Sequence, residues 1–132
     1  MIVREAIVAD PRVLQADAPV RDAAALLAKP HVASVLVADG ERLLGCVTEE
    51  AIVAAVSEGR DLRTLAVREL ADPDVPSVSP DVPLDEALIL MAEGGHERLA
   101  VVEDERLLGI LPREPLVRRL AEDEPPPPLE ED

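Results

Sequence analysis

The residue types that most often do chemistry are scarce in this chain. One cysteine, Cys46, and two histidines, His31 and His96, are its only thiol and imidazoles. Each histidine follows a predicted helix stop without a second ligand at metal spacing, so no metal site is expected. Cys46 falls inside a predicted strand, where a buried thiol is inert packing. No nucleophile, base and orienting acid can be assembled around it, and the many carboxylates form no distinctive acid–base pair. With no glycine-rich phosphate loop either, no enzyme is expected. Anion binding remains. Arg98, near His96 at the start of a predicted strand, and Arg113, at the head of a predicted helix whose backbone N–H groups favour an anion, are the cations placed for it. The other reading of both arginines is ion pairing with neighbouring carboxylates.

The elements that would position these groups come twice. The pentapeptide ERLLG occurs at residues 41–45 and again at 105–109. Shifted by sixty-four positions without gaps, the chain matches itself over nearly its whole length: Val3-Arg4-Glu5 falls on Val67-Arg68-Glu69, Pro19 on Pro83, Ala23 on Ala87 and Val37 on Val101. Such a period marks a tandem duplication. A half of about 60 residues buries only about 60% of its unfolded surface, so the two halves are expected to fold against each other. The core must be aliphatic, because 48% of the chain is hydrophobic and none of it is Phe, Tyr or Trp.

Each repeat reads as a short strand, a helix, a hairpin and a second helix. In the first, RVLQ is the short strand and APVRDAAALLAK the helix. The strands ASVLVA and RLLGCV turn at Asp39-Gly40, and TEEAIVAAVSEG closes the unit, with Thr48 as its N-cap. In the second, VPLDEALILMAEGG is stopped by Gly94-Gly95, RLAVVE and RLLGIL form the hairpin, and PREPLVRRLAE is the last helix, with Pro112 and Pro115 in its first turn. The segment between them, GRDLRTLAVREL, is linker and a short helical turn. The predicted organisation is a first repeat at 1–64, a second at 65–122 and an acidic, proline-rich disordered tail at 123–132.

A formal net charge of −15 opposes binding to nucleic acid and to anionic membrane surfaces. No apolar run approaches the roughly 20 residues that span a bilayer, and MIVREAIVAD has no signal-peptide pattern, so a cytoplasmic protein is expected.

The βαββα order, the paired VRE segments, the segments ADAPVRDAA and PDVPLDEAL, and the hairpins VLVADGERLLG and LAVVEDERLLG resemble a tandem pair of CBS domains, a Bateman module, over residues 1 to about 122. The resemblance implies an α+β fold in which two repeats pack about a pseudo-twofold axis. It also implies a regulatory role, two clefts for adenosine-containing ligands such as AMP, ATP or S-adenosylmethionine, no required cofactor, and a homodimer. The family's cleft motif is glycine, two apolar residues, Thr or Ser, any two residues, then a ribose-binding Asp. The first repeat offers Gly45, Cys46, Val47 and Thr48 but has Ala51 at the Asp position. The second has Gly109, Ile110 and Leu111, then Pro112 and Pro115 at the two gripping positions. By this carry-over the ligand-binding residues are Ser34, Gly45, Cys46, Val47, Thr48, Arg98, Gly109 and Arg113, and the first repeat is the favoured site. Loss of the carboxylate is expected to weaken ribose binding by about tenfold to a hundredfold. The alternative is a structural or partner-binding module that has lost its nucleotide. Ile52, Ala55, Val56, Leu116 and Leu120 are the expected dimer contacts.

Overall fold

The computed structural model describes residues 1–10 and 12–113. The predicted last helix beyond Arg113, with Pro115, Leu116 and Leu120, and the tail at 123–132 lie outside the described residues. A 3-10 turn at Val3–Ala6 leads into β1 (Leu14–Gln15), α1 (Val20–Leu27), β2 (Ser34–Asp39), β3 (Arg42–Thr48) and α2 (Glu49–Ser57). A second 3-10 turn at Val67–Glu69 leads into β4 (Ser77–Val78), α3 (Leu84–Gly94), β5 (Arg98–Glu103) and β6 (Arg106–Pro112). The fold is α+β, with the six strands in the order β1-β2-β3-β6-β5-β4.

Local chemistry sets these elements. The hydroxyl of Thr48 accepts from the Ala51 amide and starts α2. Gly95, at φ 68°, ends α3 in the left-handed conformation that glycine adopts without strain. Pro112 differs from its expected place in a helical first turn. It is the last residue of β6, paired with Arg98, because its fixed φ suits a strand end as well as a helix start.

Each hairpin carries a register shift just before its glycine: Val37 faces Gly45 while Ala38 faces Leu43, and Val101 faces Gly109 while Val102 faces Leu107. The residue skipped in each case, Leu44 or Leu108, packs against a helical core. The bulge re-aims a leucine that strict alternation would place elsewhere.

The two repeats exchange their lead-in segments. Val3 and Ala6 are buried with Leu84, Met91, Leu99 and Leu111 of the second repeat. Leu65 and Val67 are buried with Val20, Val37, Val47 and Ile52 of the first. The backbone repeats this exchange: Val3 and Arg4 donate to the carbonyls of Val82 and Pro80, as Val67 and Arg68 donate to those of Ala18 and Ala16. Every one of these pairs maps onto its counterpart under the sixty-four-residue offset with the repeats swapped, which is a pseudo-twofold relation.

The axis passes between β3 and β6, which pair at Arg42 and Arg106. There the ERLLG repeat meets itself. Leu43 donates to the Glu105 carbonyl and Leu107 to that of Glu41. Arg106 pairs with Glu41 at 2.6 Å and Arg42 with Glu105 at 3.6 Å. A third core of Leu36, Cys46, Ala100 and Ile110 joins the repeats beside this seam.

Candidate ligand-binding cleft

Two chain segments cross from one repeat to the other and bound the site. Val8 exchanges both backbone hydrogen bonds with Ile110, at 3.0 and 2.9 Å, before the chain runs on to β1. Asp72 does the same with Cys46, at 2.8 and 2.9 Å, before the chain runs on to β4. These crossings explain Gly45 and Gly109. A Cβ at Gly45 would sit 2.4 Å from the Asp72 carbonyl oxygen, and one at Gly109 would sit 2.6 Å from that of Val8. Gly45 makes room for backbone, and Gly109 for both the Ile7 side chain and the Val8 backbone.

Between the crossings lies a cleft of about 1050 Å³ lined from both repeats. Its apolar wall includes Leu36, Cys46, Val75 and Ile110, and its cations are Arg12, Arg98 and Arg113. Four of the eight residues expected at a site, Ser34, Cys46, Arg98 and Arg113, line this cleft. Thr48 lines a separate, smaller depression of about 610 Å³ with Glu49, Glu50 and Val53. The Val47 side chain is buried in the first repeat's helical core. Gly45 and Gly109 face the crossing segments.

The charges are arranged unequally about the axis. Arg98 donates from Nη1 to Asp10 Oδ2 at 3.2 Å and from Nη2 to the Ser34 carbonyl at 2.6 Å. The Asp10 carboxylate is fully buried; its Oδ1 accepts from the Arg12 amide at 2.9 Å and lies 3.6 Å from the Arg12 guanidinium. The symmetry-related positions of Arg12 and Arg98 hold Pro76 and Ser34, so the cluster exists on one side only. Burial pushes the Arg98 guanidinium below its ordinary value, and the Asp10 carboxylate partly restores it. Burial, reinforced by Asp72 and Asp74, pushes the Cys46 thiol up. Sequence reasoning did not find Arg12 and Asp10, because nothing in the local pattern shows that the first lead-in segment passes beside the second repeat's β5. Among the described residues, no group of three or more His, Cys, Asp or Glu could hold a metal ion, and no helix is long and apolar enough to cross a membrane.

A family model described as CBS domain matches the chain twice, at residues 3–58 and 67–122. Among solved structures, a protein ascribed to acetoin utilization from Vibrio cholerae is 25% identical, with a TM-score of 0.76 over 96% of this chain and 98% of that one. The structure of CBSX2 in complex with AMP is 28% identical, with a TM-score of 0.70 over 93% and 98%. The CBS domain pair of MJ0100, in complex with 5′-methylthioadenosine and S-adenosyl-L-methionine, is similar in fold, at 21% identity and a TM-score of 0.65 over 94% and 98%. An uncharacterized protein of Methanopyrus kandleri is 30% identical over 79 residues, which span 58% of this chain and 40% of that protein.

Proposed function

As a tandem pair of CBS domains the chain belongs to the CBS-domain family, and on that premise we propose that it is a regulatory module sensing an adenosine-containing ligand in the inter-repeat cleft. The observation that carries this reading is a cleft of about 1050 Å³ with an apolar wall and three arginines in a chain of net charge −15. Ligand pockets run to about 300–1,000 Å³, so a nucleotide fits. Leu36, Val75 and Ile110 offer a surface for the base, and Arg98 and Arg113 offer partners for phosphate. AMP in the structure of CBSX2 supports this choice of ligand class. The role is regulatory rather than catalytic, requires no cofactor and belongs to the cytoplasm.

Binding is weak in this reading, worse than about 10 μM, because Pro112 lines the cleft where the family's motif carries a hydroxyl. The test is a dye-reported thermal shift and calorimetry with AMP, ADP, ATP, S-adenosylmethionine and NAD; with no aromatic residue, the protein has no intrinsic fluorescence to follow. The expected result is a raised melting temperature with at least one adenosine ligand, and tighter nucleotide binding in Pro112→Thr, which restores the family's hydroxyl at the cleft wall. A second reading, a partner-binding or dimerisation module without a nucleotide, draws on the Thr48 hydroxyl, which is engaged with the Ala51 amide, and on Pro112, which has neither hydroxyl nor N–H. It replaces the first if no ligand shifts the melt and Pro112→Thr leaves calorimetric binding undetectable while fold and assembly persist.

A further inference from the structure

Arg98 lies across the pseudo-twofold axis as a bar between the repeats. Its position is the symmetry equivalent of Ser34, and it donates to that residue's carbonyl at 2.6 Å from the other repeat. Its other hand holds Asp10, a buried carboxylate on the segment that crosses the cleft. Asp10 is thus an internal anion on a cation that lines the ligand cleft. Its carboxylate has a second set of partners, the Arg12 amide at 2.9 Å and the Arg12 guanidinium at 3.6 Å. If Arg98 turned away, Asp10 would keep a cationic partner, so the usual large cost of stranding a buried charge does not arise. The side chain of Arg98 is 21% exposed, so it already touches the space an anion would enter.

Building on the reading of the cleft as an adenosine-ligand site, we infer that Arg98 is an exchangeable latch: the anionic group of a bound ligand competes with Asp10 and the Ser34 carbonyl for its guanidinium. Exchange opens the bar between the repeats and transfers Asp10 to Arg12. Occupancy of the cleft is thereby felt by the segment ending at Asp10, which also carries the Val8–Ile110 bridge between the repeats.

The experiment compares AMP with neutral adenosine by calorimetry on the full chain and on Asp10→Asn and Arg98→Gln, with the Arg98 side-chain N–H signals followed by NMR in the wild type. In Asp10→Asn the competing anion is gone, and AMP is expected to bind about tenfold tighter with adenosine unchanged. Arg98→Gln is expected to cut the preference for AMP over adenosine by about tenfold, with Arg113 left as a phosphate partner. In the wild type, AMP but not adenosine is expected to move the Arg98 signals. Should Asp10→Asn fail to fold, the wild-type NMR and Arg98→Gln decide the question. AMP binding that is equal or weaker in a folded Asp10→Asn, or Arg98 signals unmoved by bound AMP, overturns the latch and leaves the ligand site standing. No binding of either compound to any of the three proteins removes both.

Discussion

At the residue scale, Cys46 and Thr48 show how little a residue type says until its neighbours are known. Cys46 sits in β3 with its thiol pushed up by burial and by Asp72 and Asp74. Its thiolate fraction at neutral pH is therefore below that of an ordinary thiol of pKa about 8.5. Iodoacetamide is expected to alkylate Cys46 more slowly than a model thiol, with an onset at higher pH. The linkage has a definite sign. The folded state favours the neutral thiol, so this contribution to stability is complete below the ordinary thiol value and is lost as pH rises toward the raised one. Melting curves should show the wild type losing stability relative to Cys46→Ala over that alkaline window. Thr48 is an N-cap by geometry, and Thr48→Val should cost about 1 kcal/mol in a denaturant titration followed by circular dichroism, with or without ligand.

At the element scale, the lead-in segments matter more than the hairpins that identify the repeats. Each crosses to the other repeat and bridges it, Val8 to Ile110 and Asp72 to Cys46, and each crossing needs a glycine beside it. Gly45→Ala forces a methyl against the Asp72 carbonyl. A backbone atom cannot swing aside as a flexible side chain can, so the substitution should destabilise the fold by about 1–3 kcal/mol. Hydrogen exchange should locate the damage at Cys46 and Asp72 first. The ion pairs across the seam are a contrast: Arg106 and Glu41 are largely exposed, and Arg106→Ala should cost less than about 1 kcal/mol in the same titration.

At the scale of the whole molecule, the surface left for assembly differs from the expected one. Ile52 and Ala55 are not available as dimer contacts, because both are buried in the first repeat's own core. Of the expected contacts Val56 does face outward, at 54% exposure, and the helical period places Val53 beside it at 57%; Ile89 and Leu90 of α3 are exposed as well. Leu116 and Leu120 lie outside the described residues. We propose a homodimer that covers Val53 and Val56. Sedimentation is expected to give a mass that falls to the monomer's in Val53→Glu/Val56→Glu, while a concentration-independent monomer in the wild type would count against it.

The duplication, the order of elements, the Thr48 cap and the departure at Ala51 were all legible in the residues, because repeats, caps and periodicities are local patterns. The ERLLG repeat announced two copies, but that its glutamates and arginines pair across an axis followed only once β3 and β6 lay side by side. Ile52 and Val53 differ by one position on one helix, and which of them is buried depended on where the first repeat's core lay. Gly45 and Gly109 were expected against a ligand, yet what approaches them is the protein's own chain, from more than twenty-five residues away in the one case and from the far end of the chain in the other. Arg98 was visible as a cation, while its partner Asp10 stands eighty-eight positions away. Local sequence sets what a segment can form; the exchange of lead-in segments, a long-range packing choice, decided which charges share the cleft.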